Sequence, residues 1–179
     1  MPRPQPLWIC PRCGQRFVTR NMWHSCVRMS VRDHLTGKPT EVVDLYRAYA
    51  KMVRSLGPGV RAVAVKSGIG FMVRVRFAGA TLQQRGLRVG FWLKREVRSP
   101  RFVKAEHLER DNWIYHVKVR TAEDLDDELL GWLREAYLVG RQEWGSVQRG
   151  SSERAPWRLP RPGVPPLSEG TEERGVSNG

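Results

Sequence analysis

The residues with the clearest chemical purpose stand near the start of the chain. They are Cys10-x2-Cys13-x10-His24-x-Cys26, set within and after Trp8-Ile-Cys-Pro-Arg-Cys-Gly-Gln-Arg-Phe17. A Cys-Pro-x-Cys-Gly turn aims successive backbone N–H groups at its two sulfurs, which favours thiolates and a metal knuckle. Two further soft or imidazole donors about a dozen residues later complete the tetrahedral set that zinc prefers. The spacing Cys13-x3-Phe17-x5-Trp23-x2-Cys26 copies a two-Cys, two-His finger, with Cys26 in the place of the first histidine. Such a finger would carry its last ligand at Ser30, Val31 or Arg32, and none of these coordinates. The fourth ligand is therefore either His24, which closes a compact loop and is favoured, or His34, eight residues past Cys26. His34 also follows Asp33, which reads as a helix N-cap. Four protein ligands leave no open position, so the expected Zn2+ is structural and not hydrolytic. A closed site of this kind supplies on the order of 10 kcal/mol to a unit without its own core.

The rest of the chain offers no catalytic constellation. There is no Ser/His/Asp order, no Gly-rich phosphate loop and no His-Glu-x-x-His. No catalytic residue is assigned. An alternative reading is a small-ligand site or cryptic enzyme with a pocket near Lys66, Arg74 and His116.

The elements that must carry these side chains follow from periodicity. From Glu41, the apolar positions Val42, Leu45, Tyr49, Met52, Val53 and Leu56 make one face of a helix that Gly57-Pro-Gly59 stops. Val60 to Val65 reads as a strand, and Ser67-Gly-Ile-Gly70 as a turn or bulge. Phe71, Val73, Val75 and Phe77 alternate with Met72, Arg74 and Arg76, a period of two. Leu87 to Lys94 and Trp113 to Arg120 alternate likewise, with a weaker strand at Phe102 to Leu108 between them. Short links between successive strands predict an antiparallel meander. Thr121 and Asp124 resemble a capping box for a second helix that keeps Leu125, Leu129, Trp132, Leu133 and Ala136 on one side. The acids of its first turns suit the helix dipole.

Alternation sets Arg74, Arg76, Arg88, Lys94, His116, Lys118 and Arg120, with Trp92, opposite the apolar set that must face the helices. Charge for phosphates beside an aromatic for base stacking makes that face a candidate nucleic-acid platform. The finger adds Arg12, Arg16, Arg20, Arg28 and Arg32.

Composition agrees with such a partner. The 179 residues hold 31 Lys and Arg against 18 Asp and Glu, a net charge of +13. Residues 1–121 hold a surplus of +17, whereas residues 122–143 hold −5. No apolar run approaches the roughly 20 residues of a membrane span, and the N-terminus shows no signal-peptide core. Three clustered cysteines do not suit a secreted disulfide framework. The expectation is a cytoplasmic protein of α+β class: an antiparallel sheet of about four to five strands packed on two helices. A zinc-finger-like unit at 7–34 precedes the α+β domain at 35–144, and a disordered tail spans 145–179. Its expected function is non-enzymatic, binding nucleic acid or an acidic partner through the basic sheet face, with no membrane contact.

Several stretches carry a resemblance. Trp8-x-Cys-Pro-x-Cys-Gly-x-x-Phe17, His24-Ser-Cys26, Asp33-His-Leu-x-Gly-Lys-Pro39 and Lys66-x-x-Ile-x-Phe71 form its first half. Gly90-Phe-Trp-Leu93, Ser99-Pro-Arg-Phe102, Asp124-Leu-Asp-Asp-Glu-Leu129 and Trp132-Leu-Arg-Glu-Ala-Tyr137 form its second. Over about residues 7–144 the chain resembles a bacterial family of unknown function, number 5655 in the domain-of-unknown-function series. Leu35 stands where a Phe is usual, and Ser99 where a His is usual. The resemblance implies a small helix–sheet–helix domain with the finger as an N-terminal addition. It assigns His34 to the domain, which strengthens His24 as the zinc ligand, and it brings no catalytic residues.

Overall fold

Helix α2 (Thr40–Arg54) forms where the apolar spacing requires it and buries Val42, Leu45, Tyr46, Tyr49, Ala50 and Val53. Pro39 occupies its N-cap position, a place where a missing N–H costs nothing. In this computed structural model residues 6–21, 24, 26, 29–108 and 111–143 are described. The expected tail, together with Trp23 and Arg28, lies outside the described residues.

Two short strands, β1 (Trp8–Ile9) and β2 (Arg16–Phe17), pair antiparallel around the knuckle. A one-turn helix, α1 (Val31–Leu35), precedes α2. Ser30 is its N-cap, and Asp33 is the reciprocal partner three residues inside the capping box, which corrects the expectation that Asp33 caps. Val31 and Leu35 pack against the domain core, so this helix joins the domain and not the finger.

The main sheet has six antiparallel strands, against the four to five expected. They are β3 (Arg61–Val65), β4 (Gly68–Met72), β5 (Arg76–Gln83), β6 (Gly86–Leu93), β7 (Phe102–His107) and β8 (Trp113–Val119). Their order is β3-β4-β5-β6-β8-β7, so the expected meander holds only as far as β6: β8 pairs with β6, and β7 lies outside it at the sheet edge. The extra strand arises because the run from Phe71 to Phe77 is not one strand. The register shifts after Phe71, and the backbone N–H groups of Arg74 and Val75 both donate to Gly140 O, at 3.2 and 3.1 Å.

Helix α3 (Asp127–Arg141) covers the same sheet face as α2. The capping box of Thr121 and Asp124 closes a single 3-10 turn, Ala122–Asp124, and Asp126 is the cap of α3 itself. Between helices and sheet lies one aromatic core. Phe91 stacks on Trp132 with centroids 5.5 Å apart, and Phe102 lies 4.8 Å from Trp132 and 4.5 Å from Tyr115. Tyr49, Phe71, Phe77 and Leu133 complete it. Gly140 lets α3 close on the sheet, since a Cβ there would meet the Phe77 ring at 2.6 Å. Among the described residues, no helix lies on the opposite sheet face.

Candidate functional site

The knuckle is built by backbone hydrogen bonds. Cys10 N donates to Gln15 O and Gly14 N donates to Cys10 O, each at 2.8 Å, with Gly14 at a positive φ of 74°. This turn brings Cys10 and Cys13 toward His24 and Cys26, and the four ligand atoms lie within 4.8 Å of one another. Cys10 Sγ and Cys26 Sγ are 3.8 Å apart, and Cys13 Sγ is 3.2 Å from His24 Nε2. A tetrahedral ion with metal–sulfur bonds of about 2.3 Å has sulfur–sulfur edges of about 3.8 Å. The set therefore has the size, donor types and count to hold a metal ion. Phe17 packs 4.4 Å from the His24 ring and Trp8 stands 6.5 Å away, holding the imidazole in place. His34 sits in α1 and is not part of this group.

The electrostatics of the cluster are those of a crowded thiol set. Burial opposes ionisation of Cys10, but the backbone N–H groups of Cys13 and Arg12, with the neighbouring thiols, bring it down to about 6. Burial and the two neighbouring sulfurs push Cys26 up to about 11. One sulfur is prepared as a thiolate, and a cation at the centre would favour the remainder. Gln15 Nε2 then ties the knuckle to edge strand β3 by donating to Ala64 O at 3.1 Å.

On the uncovered sheet face, strand pairing sets two rows of residues side by side. One row runs through Thr81, Arg88 and Lys118. The next runs Gly70, Gly79, Gly90, His116 and Lys104. Arg76 lies over the Trp92 ring at 5.0 Å. His116 Nε2 meets Glu106 Oε1 at 3.1 Å, and Lys104 Nζ reaches the same oxygen at 3.0 Å. The Lys104 and His116 partners hold the Glu106 carboxyl below its usual range. Arg76, Arg88, Trp92, Glu106 and His116 line a cleft of about 240 Å³ over the glycine row.

The sequence profile of a family described as "Domain of unknown function (DUF5655)" matches residues 31–140. The chain belongs to DUF5655. No curated protein and no solved structure matches it. The DUF5655 span begins at the first residue of α1, so it holds the whole aromatic core and the open sheet face and leaves out the Cys/His cluster. That is narrower than the resemblance read over residues 7–144.

Within the DUF5655 domain the residues expected on the basic face are not equally placed. Arg76, Arg88, Trp92 and His116 meet around the cleft. Lys118 is the register partner of Arg88. Lys94, just past the end of β6, donates from Nζ to Asn112 Oδ1 at 2.5 Å. Arg120 follows β8 and lines, with Lys118, a separate depression beside the start of α2. Arg74 is not among the residues that line the cleft. Its Nε donates to Gln142 Oε1 at 3.1 Å just past the end of α3, and it stands in the break between β4 and β5, outside either strand. Lys66 is exposed in the turn between β3 and β4, and the cleft is lined by Val65 and Ser67 on either side of it.

Glu106 and the three glycines of the cleft floor escape the sequence reading. The glycines do leave a signal: Gly70, Gly79 and Gly90 each occupy the polar phase of an alternating strand, where a side chain would ordinarily point to solvent.

Proposed function

We propose that the chain is a zinc-holding, non-enzymatic module that binds nucleic acid through the open face of its DUF5655 sheet. The observation that carries the reading is the state of the cations on that face. Arg76, Arg88 and Lys118 have no carboxylate partner among the described residues. The carboxylate lining the cleft, Glu106, is bonded to His116 and Lys104. Unpaired cations set one strand spacing apart suit a phosphate backbone, and guanidinium groups suit its planar, bidentate geometry. Three Cys and one His in a closed set favour zinc over harder ions. Three cysteines with no disulfide among them suit a reducing compartment such as the cytoplasm. Among the described residues no helix is long and apolar enough to cross a membrane.

Fluorescence anisotropy with single-stranded DNA and RNA, from ~50 to ~200 mM salt, tests this reading. Affinity should fall steeply with salt. Replacing both Arg88 and Lys118 by Gln should reduce the logarithmic slope by about 1.4, at about 0.7 for each phosphate no longer neutralised. Flat salt dependence, or affinity for an acidic protein with none for either nucleic acid, would overturn it.

A further inference from the structure

Three glycines standing in register across β4, β5 and β6 do more than flatten a sheet. With strands about 4.8 Å apart, the row from Gly70 through Gly79 and Gly90 to His116 spans about 14 Å. Two of these glycines make room for side chains that lie flat. A Cβ at Gly70 would stand 2.8 Å from Arg76 Cδ, and one at Gly90 would stand 3.2 Å from the His116 ring. Gly79 differs. The atoms nearest a Cβ there are backbone, Ile69 O at 3.2 Å and Gly70 Cα at 3.7 Å, so no side chain covers it. The centre of the cleft is therefore a bare stretch of backbone. The Arg76–Trp92 stack stands on one side and the His116–Glu106 pair on the other, with Arg88 and Thr81 alongside.

The charges around this bare floor are unbalanced. Arg76 keeps an exposed edge, yet enough protein surrounds its guanidinium that desolvation lowers its pKa. A partly desolvated cation with no carboxylate beside it among the described residues gains from an incoming anion what bulk water no longer supplies. Glu106, the acid in the cleft lining, already has Lys104 and His116 as partners.

We infer that this cleft binds a phosphate group, seated over Gly79 between Arg76, Arg88 and His116. The inference rests on reading the open face as anion-binding and names the chemistry at its centre. The phosphate belongs either to a free mononucleotide or to a nucleic-acid strand. The two sources are separated by experiment.

The test uses the full chain loaded with zinc. Inorganic phosphate, adenosine monophosphate and a short single-stranded oligonucleotide are each titrated by calorimetry against the wild-type protein, Gly79→Val and Arg76→Gln. Gly79→Val fills the floor, and Arg76→Gln, at a residue with an exposed edge, serves if the valine variant does not fold. At least one phosphate probe should bind the wild type, and both variants should weaken that binding by about tenfold or more, with the thermal melt retained. Loss with phosphate or the mononucleotide supports a free ligand, and loss with the oligonucleotide alone supports a strand. Unchanged affinity in both variants overturns the cleft, while the nucleic-acid reading survives if the oligonucleotide keeps its salt slope. Phosphate binding without oligonucleotide binding does the reverse. Failure of every probe to bind the wild type overturns both.

Discussion

Among the described residues Glu135 is the buried charged side chain, 6 % exposed, and its carboxylate accepts from both Nε and Nη2 of Arg95, at 2.8 and 2.9 Å. The two partners of this pair live in different solvents. The Glu135 side chain is 7 % exposed, whereas that of Arg95 is 48 % exposed. Removing the arginine therefore leaves a carboxylate in a nearly dry place, while removing the glutamate leaves a guanidinium that water can reach. Arg95→Met should lower the unfolding free energy by about 2–3 kcal/mol, and Glu135→Met by about 1 kcal/mol or less, in urea titrations. The reverse order would mean that the carboxylate is solvated in the folded protein. Nothing in the residue string announces this pair, because its partners are 40 residues apart and meet only when α3 closes on the end of β6.

The elements show where local chemistry suffices and where it does not. The spacing of Val42, Leu45, Tyr49 and Val53 is enough to place α2, and alternation places β6 and β8, because each buries one face against a partner that need not be known. The break at residues 73–75 is not legible, since it is enforced by the Gly140 carbonyl of α3, far along the chain. Alternation continues through the break in letters only, so it groups Arg74 with Arg76 although Arg74 lies outside both strands and bonds Gln142. The Cys/His cluster is legible because its ligands are close in sequence, whereas the cleft is not, because its floor is the absence of side chains on three strands. The start of α3 is half legible. Thr121 and Asp124 do form a capping box, but Asp126 also caps, accepting from Leu129 N at 2.9 Å, and Arg101 grips its carboxylate at 2.7 Å. Burial would raise the Asp126 pKa, yet the Arg101 and Leu129 donors outweigh it and leave the folded value below the ordinary one. A carboxyl with a depressed folded pKa stabilises above its unfolded pKa of about 3.9, and that stabilisation is lost as pH falls through the folded value. Asp126→Ala should therefore cost about 1–2 kcal/mol at neutral pH, and its melting curve should approach that of the wild type below about pH 4. A gap that stays constant down to about pH 2 would remove the ion pair and the charged cap from the account.

At the scale of the whole molecule, two parts meet their energetic needs by different means. The buried cluster of the domain runs from Val42 to Tyr137 and, among the described residues, takes no side chain from the Cys/His unit. The unit in turn buries Cys10 and little else among its described residues, which is too little apolar surface to order a chain by itself. Its connection to the domain includes the hydrogen bond from Gln15 to Ala64, worth about 1 kcal/mol. A metal ion coupled to folding can supply on the order of 10 kcal/mol to such a unit and almost nothing to a domain it does not touch. Chelation, or Cys13→Ser, should thus unfold the unit locally: cleavage by trypsin at Arg12, Arg16 and Arg20 should accelerate by an order of magnitude or more as the local opening energy approaches zero. The cooperative melt of the DUF5655 domain, followed by near-ultraviolet dichroism of the Phe91–Trp132 stack, should move by no more than about 4 °C, the shift expected for about 1 kcal/mol in a domain of this size. Native mass spectrometry should register one zinc per chain before chelation and none in the serine variant. A melt that collapses with the metal would show that the edge strand β3 depends on the unit beside it, and that the two parts fold as one.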